Sequence, residues 1–441
     1  MNNIVGATLD PRLHMDKLSV SSLDKVDGEV WISGSKSYTN RAILIGALAE
    51  GETSLEHALV SEDTNYLAEA VERYGRARVM IDTLRDKVTI AREAGEMVAP
   101  TGPVFMGNAG TPIRILTSFA GLATGTSLIT GDERMQQRPI QDLLDALGQL
   151  GVPAHAVNGT GCPPVEVAGP TLRGGSARIR GSISSQYTTS ILLSAPYAEH
   201  DVELEITDDL TSKPYVDMTL AIMKSFGVEV ERDGYRWFRV RAGQRYKART
   251  YRVEPDASNM SYFLAAAAIV GGRIRIPGID ATSAQGDVRF LEVLDRMGCT
   301  VDSGHGFVEL YGGALRGIEV DMNLMPDLVP TLAVVAAYAE GSTRITNIAN
   351  LRIKECDRIA AVETELRKMG VRAESTRDSL TVFGGHPVGA EIDTYNDHRI
   401  AMSFAVAGLR TPGVVIRNPG CVAKSFPTFW QSFEGLRGLT Q

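Results

Sequence analysis

Ile140, Leu143, Leu144 and Leu147 fall at i, i+3, i+4 and i+7, the spacing of one buried helical stripe, and Phe290, Val293, Leu294 and Met297 repeat it. An amphipathic helix of this kind ends five times in a hydrophobic residue and a glycine, at Gly75, Gly151, Gly227, Gly298 and Gly370. These glycines lie 76, 76, 71 and 72 residues apart and supply left-handed C-caps. A short strand, a turn and another strand follow each, as in "VEVERDGYRWFRV" and "VRAESTRDSLTVF". A second class of helix is alanine-rich and apolar nearly all round, with a polar beginning. Its starts are "SKSYTNRA", "GNAGTPIRI", "SISSQYTTS", "DASNMSYF", "PDLVPTLA" and "NDHRIAMS". Counted from Lys36, Gly110, Ser185, Ala257, Asp327 and His398, they recur at 74, 75, 72, 70 and 71 residues. Six copies of one unit are predicted, with small side chains letting buried helices pack closely.

The sixth copy is cut short after "FPTFWQSFEGL", whereas "KLSVSS" and "GEVWISG" near the N-terminus read as strands that follow no helix. Residues 1 to about 34 are expected to complete the copy begun near His398. Three copies per domain then give an α/β protein with a middle domain of residues 35–254 and a discontinuous one of residues 1–34 plus 255–441. The two crossings, near Gly34 and Glu254, are expected to act as hinges for closure.

At 441 residues the chain is longer than one hydrophobic core usually grows, which fits two domains. Its 44% apolar and 22% charged residues are those of an ordinary globular protein. Cys162, Cys299, Cys356 and Cys421 form no C-x-x-C pair and have no histidine at metal-ligand spacing. They read as free thiols of a reducing compartment, with no metal site. Asp10, Arg12, His14 and Asp16 stand where a signal peptide would be apolar, and no run of eighteen apolar residues occurs. A cytoplasmic protein without membrane contact is expected. The formal charge of -8 argues against non-specific nucleic-acid binding.

The polar motifs stand at helix beginnings, where unpaired N–H groups and the helix dipole favour anions. Lys36, Ser37 and Arg41 open one such helix and suit a phosphate or carboxylate, although alone the stretch reads equally as a solvated helix start. It is not a phosphate-binding G-x-x-x-x-G-K-[ST] loop, because Ser35 separates Gly34 from Lys36. "GDERMQQRPI" adds Arg138, "LRIKECDRIA" adds Lys354, Glu355 and Arg358, "YNDHRIAMS" adds His398 and Arg399, and "NPGCVAKSFP" adds Lys424. Cations at several matching repeat positions point to one anion trap facing a shared cleft.

Together "GSKSYTNRA", "GNAGTPIR", "GDERMQQRP", "GSISSQY", "SKPYVD", "PDLVPTLA", "NLRIKECDR", "YNDHR" and "AKSFP" resemble the 5-enolpyruvylshikimate-3-phosphate synthase family in order, from Lys17 to Phe433. The resemblance implies two inverted α/β domains, each of three βαβαββ-type units, closing on substrate. It implies transfer of the enolpyruvyl group of phosphoenolpyruvate to the 5-hydroxyl of shikimate 3-phosphate by addition and elimination, without metal or organic cofactor. That is a step of aromatic amino acid biosynthesis and the target of glyphosate. By the resemblance Lys36, Ser37, Arg41, Ser184, Ser185, Gln186, Ser212, Tyr215, Asp327, Asn350 and Lys354 hold shikimate 3-phosphate. Lys36, Gly110, Arg138, Gln186, Glu355, Arg358, Arg399 and Lys424 hold phosphoenolpyruvate. Asp327 resembles the base that takes the hydroxyl proton and Glu355 the group that protonates C3, with Lys36 stabilising both steps. Asp327 also reads as a simple helix cap, and His398 as a histidine that orients Asp397 or a phosphate. Where the family frequently has G-T-A-M-R-P, this chain has Thr111, Pro112, Ile113, Arg114 and Ile115; proline suits a first helical turn, while Ile115 replaces the usual proline.

The related UDP-N-acetylglucosamine enolpyruvyl transferases carry a loop cysteine as acid, whereas Cys162 in "GCPP" has no basic neighbour in sequence. RNA cyclases share related repeats and would have to recruit His398. A non-catalytic six-repeat clamp around DNA would show lysine and arginine stripes along helices, which these alanine helices lack. The chain is expected to work as a monomer on two small-molecule substrates.

Overall fold

The starts of the alanine-rich segments are polar because the helices behind them are enclosed. The computed structural model describes residues 4–5, 10–75, 77–93 and 95–438, with twelve α-helices and six sheets among them. One compact unit comprises Met1–Ala7 and Gly34–Val253, the other Thr8–Ser33 and Glu254–Gln441. The first holds α1 (Lys36–Leu48), α2 (Glu62–Arg73), α3 (Gly110–Ala120), α4 (Gln141–Gln149), α5 (Ser185–Ser194) and α6 (Lys213–Ser225). The second holds α7 (Ala257–Val270), α8 (Phe290–Arg296), α9 (Val329–Ala336), α10 (Arg358–Lys368), α11 (His398–Gly408) and α12 (Phe429–Gly438).

The odd-numbered helices are the enclosed ones. All of α9 and α11 is buried, and all of α7 except Val270. In the first unit every residue of α3 except Thr111, of α5 except Gln186 and of α1 except Lys36 and Ser37 is buried. Solvent therefore reaches these three helices only at their first turns. The other helices are one-sided, as α4 shows by burying Leu143, Leu144, Ala146 and Leu147. The five glycines that follow such helices have φ between 72° and 110°, the left-handed stop that an L side chain would strain.

The repeat is plainest around α5 and α6. Gly175–Ile179 precedes α5 and pairs parallel with Val202–Ile206, which precedes α6; Trp237–Val240 then joins antiparallel and Val230–Asp233 flanks it. That is βαβαββ, the unit the family resemblance implies. The same order holds for Glu319–Asp321, Ser342–Thr346, Ala373–Ser375 and Leu380–Phe383 in the second unit. Two sheets borrow their leading strand from far along the chain. Thr250–Arg252 pairs with Glu52–Glu56, so the last strand of the first unit completes its first copy. Val26–Glu29 pairs with Gly272–Pro277 and does the same for the second unit.

Residues 1–34 do not travel as one block. Lys17–Ser19 joins Val415–Arg417 and completes the sixth copy, whereas Val26–Glu29 serves the fourth. Ile4–Val5 lies beside Ala77–Asp82 of the first unit. Three short stretches each satisfy a different open strand edge, and hydrogen bonding at an edge is indifferent to sequence neighbourhood. Residues 1–3 and 6–9 of that expected block lie outside the described residues. No described helix is long and apolar enough to cross a membrane.

Candidate active site

In the first unit Ser35 caps α1, accepting from the Tyr38 amide, and Lys36 begins the helix. The Lys36 ammonium lies 3.1 Å from Oδ2 of Asp63, a buried carboxylate in the first turn of α2. Arg41, one turn further along α1, is only 1% exposed. Its guanidinium donates to Thr219 Oγ1 at 2.9 Å, Ser37 O at 2.8 Å, Tyr215 O at 3.1 Å and Thr189 Oγ1 at 3.4 Å. Burial lowers the Arg41 pKa to about 10, so it stays charged at neutral pH. Arg41 thus ties α1 to α5 and α6 and holds Ser37 and Tyr215 in register.

Ser184 caps α5, Ser185 and Gln186 follow, and the Gln186 amide donates to Thr111 Oγ1 of α3 at 3.0 Å. Ser212 sits just before α6 with φ of 53°, the left-handed region. Gly110 begins α3, and Arg138 donates to Asn108 O at 3.1 Å and Oδ1 at 2.8 Å just before it. A Cβ on Gly110 would lie 2.5 Å from Arg138 Nη2 and 2.9 Å from Arg114 Nη1. Glycine here is a matter of space between two guanidinium groups. Arg114 closes the other side, donating to Gly110 O at 2.9 Å, and α3 runs continuously through Pro112 and Ile115. Lys36, Ser37, Arg41, Gly110, Arg138, Ser184, Ser185, Gln186, Ser212 and Tyr215 therefore gather at neighbouring helix beginnings of one unit.

The second unit carries a dense charge network centred on Arg358, 1% exposed. Its Nε donates to Asp397 Oδ2 at 2.7 Å, Nη1 to Asp327 Oδ1 at 2.9 Å, and Nη2 to Glu355 Oε2 at 2.8 Å and Asp397 Oδ1 at 3.2 Å. Arg399 donates to Asp327 Oδ2 at 3.1 Å, and the Lys354 ammonium stands 3.3 Å from Asp327 Oδ1. Asp327 is not a helix cap: it lies within the short 3-10 turn Pro326–Leu328 ahead of α9, with its carboxylate on these three cations. Burial acts to raise it, yet Arg399, Lys354 and Arg358 hold it well below its ordinary 3.8. The cap of α11 is Asp397, accepting from the Arg399 amide at 2.9 Å. Burial lowers Arg358, but Asp397, Glu355 and Asp327 outweigh it and leave the guanidinium more firmly protonated than usual.

Asn350 lies in the 3-10 turn Ala349–Ile353 that leads to Lys354, and Lys424 ends the turn Pro419–Lys424, buried. His398 opens α11, with Nδ1 3.7 Å from Asp397 Oδ1, too far for a hydrogen bond. Burial pushes the Cys162 thiol up despite Thr160 and Arg114, so it lacks the activation of a reactive cysteine.

Sequence reading missed Asp63, Arg114 and the structural part played by Asp397. Asp63 stands in the "SEDTNY" start of α2, where an acidic first turn reads as ordinary helix chemistry. Arg114, four residues after Gly110 on a helix, was discoverable as the residue one turn above that glycine.

Fold and charge define a repeat-built α/β protein of two units, the first with cations and hydroxyls at its helix beginnings and the second with paired carboxylates on a cluster of cations. A family model for EPSP synthase (3-phosphoshikimate 1-carboxyvinyltransferase) matches residues 20–433. The 3-phosphoshikimate 1-carboxyvinyltransferase of Trichormus variabilis is 42% identical over 426 residues, covering 96% of this chain and 100% of that protein. The Serratia proteamaculans protein of the same name is 43% identical over 430 residues, covering 97% and 99%. The solved EPSP synthase of Acinetobacter baumannii superposes with a TM-score of 0.78 at 29% identity, covering 96% of this chain and 98% of that one. The chain belongs to the EPSP synthase family.

Proposed function

We propose that this chain transfers the enolpyruvyl group of phosphoenolpyruvate to the 5-hydroxyl of shikimate 3-phosphate, releasing phosphate. The observation that carries the reading is that one buried guanidinium, Arg358, holds both Asp327 and Glu355, so a base and an acid are kept side by side in a lattice of cations. The mechanism is addition followed by elimination. Glu355 protonates C3 of the enol and Asp327 takes the proton of the attacking hydroxyl; the tetrahedral adduct then loses one proton from its C3 methyl group as phosphate leaves, which restores the double bond. Asp327 is held in its ionised form, the protonation state a general base requires.

In the first unit Lys36, Ser37, Ser184, Ser185, Gln186, Ser212 and Tyr215 bind the sugar-like phosphate, because hydroxyls and an amide both donate and accept. Arg41 enters by fixing Ser37 and Tyr215. Arg138 and the backbone at Gly110 bind phosphoenolpyruvate with Lys36 and Gln186. In the second unit Asn350 and Lys354 bind shikimate 3-phosphate, and Arg358, Arg399 and Lys424 bind phosphoenolpyruvate. Planar guanidinium groups match its carboxylate and phosphate oxygens in pairs. The chain is proposed to act alone, as a cytoplasmic monomer.

The reading is tested by phosphate release. Purified protein is expected to release phosphate from phosphoenolpyruvate only when shikimate 3-phosphate is present, and release with UDP-N-acetylglucosamine in its place would overturn the assignment. A second expectation follows from the contacts around Gly110. In Gly110→Ala the methyl must displace Arg138, so KM for phosphoenolpyruvate should rise about ten- to hundredfold. KM for shikimate 3-phosphate should move far less, and steady-state kinetics with both constants unchanged would count against Arg138 as an anion ligand.

A further inference from the structure

Asp287 takes no part in the chemistry above, yet it is among the most enclosed acids of the second unit. It stands in the 3-10 turn Gly286–Arg289 and is 3% exposed. Its Oδ2 accepts from the hydroxyl of Ser258, in the first turn of α7. Gln285, just before this turn, accepts from the Ala257 amide at the start of α7, and Arg399, in the first turn of α11, donates both to the Tyr262 hydroxyl of α7 and to Asp327 ahead of α9, so the turn and the three helix beginnings are tied together. The charged groups that bear on Asp287 are Asp327, Arg399 and Asp256, the cap of α7. The other charges on its own turn and on the first turn of α8, Arg289 and Glu292, pair with each other at 3.0 Å toward solvent. Asp287 thus sits where the three enclosed helices of this unit begin.

Asp327 poses a chemical difficulty that this placement resolves. A carboxylate gripped by Arg399, Lys354 and Arg358 stays ionised, but the same cations make it reluctant to take a proton. A nearby anion works the other way, because a proton arriving on Asp327 relieves repulsion between two buried carboxylates. We propose that Asp287 is a positioning residue for catalysis, whose ionised carboxylate offsets Arg399 and keeps Asp327 basic enough to accept the proton of the attacking hydroxyl. In that step the O–H bond breaks, its proton passes to Asp327 and its electron pair forms the new C–O bond. Asp287 gains and loses nothing. The inference rests on Asp327 being the base.

Burial, then Asp327, raises Asp287 to about 6, against Ser258 and Arg399, so its anion appears as pH rises through that value. The experiment is the ratio of kcat in Asp287→Asn to kcat in wild type, from pH 5 to pH 8.5, by phosphate release at saturating substrates. Substrate phosphates titrate in the same range but act alike on both proteins, so the ratio isolates Asp287. It should be near one at pH 5 and fall to about one-third to one-tenth at pH 8. A ratio that is flat with pH, whether at one or below, overturns the proposal, since a merely structural role lowers activity equally at every pH.

Two further measurements cover a poorly folding variant and separate this inference from the function it rests on. Ser258→Ala removes the donor that favours the anion, so its activity should gain an acid limb displaced upward by about one pH unit; an undisplaced limb overturns the proposal. Asp327→Asn tests the base itself. Full activity there ends both readings, whereas an inactive Asp327→Asn beside an Asp287→Asn that matches wild type at every pH ends only this one.

Discussion

Asp327→Ala should lower kcat for phosphate release by about two to four orders of magnitude, the contribution of a positioned general base. The loss should fall on kcat more than on KM, because Lys354, Arg358 and Arg399 remain to bind anions once their shared carboxylate is gone. Asp327→Asn keeps the shape and an acceptor oxygen without the charge, so it should keep the native fold at lower stability and be as inactive. Thermal unfolding of both variants separates chemistry from folding. Retention of kcat within about threefold in the asparagine variant would remove Asp327 from the mechanism.

The second large effect is expected in Arg358→Lys. Lysine offers one ammonium where arginine presents three nitrogens in a rigid plane, and here Nε, Nη1 and Nη2 reach Asp397, Asp327 and Glu355. No single ammonium satisfies three buried carboxylates, so the variant should lose about 3 kcal/mol of stability in urea unfolding, as for a broken buried ion pair. Activity should fall with it by about a hundredfold or more, since base and acid lose their common support. The sign of the acid response follows from Asp327. Its pKa is depressed in the folded state, so the stabilisation is fully present above its ordinary 3.8 and is lost as pH falls below it. Wild type should therefore lose stability below about pH 4 more steeply than Asp327→Asn. A lysine variant as stable and active as wild type would show that the network is ornamental.

Much of the architecture was legible because it repeats. The near-constant spacing of glycine stops and alanine-rich helices predicts six copies, and six sheets are present among the described residues. Polar residues at the helix beginnings were legible for the same reason, as departures from an otherwise apolar stretch. Which distant strand fills which edge was not. Val26–Glu29 has no local mark that directs it to Gly272–Pro277 rather than to the end of the chain, since backbone pairing carries little sequence information. Nor do residue types reveal whether an arginine faces substrate or structure. Arg41 reads as an anion ligand, and its structural part, four hydrogen bonds to Thr219, Thr189 and two carbonyls that lie 148 to 178 residues away or one turn back, has no mark in the sequence. Asp287 escaped notice because "QGDVRF" looks like a solvated turn until burial is known.

The borrowed strands also order events during synthesis. The first unit contains both partners of its closing pair, Glu52–Glu56 and Thr250–Arg252, and can finish while the ribosome is still translating. The second cannot, because Lys17–Ser19 must wait for Val415–Arg417 to emerge. At about 5–20 residues per second that delay is roughly 20 to 80 s, during which the nascent N-terminal segment remains in need of chaperone cover.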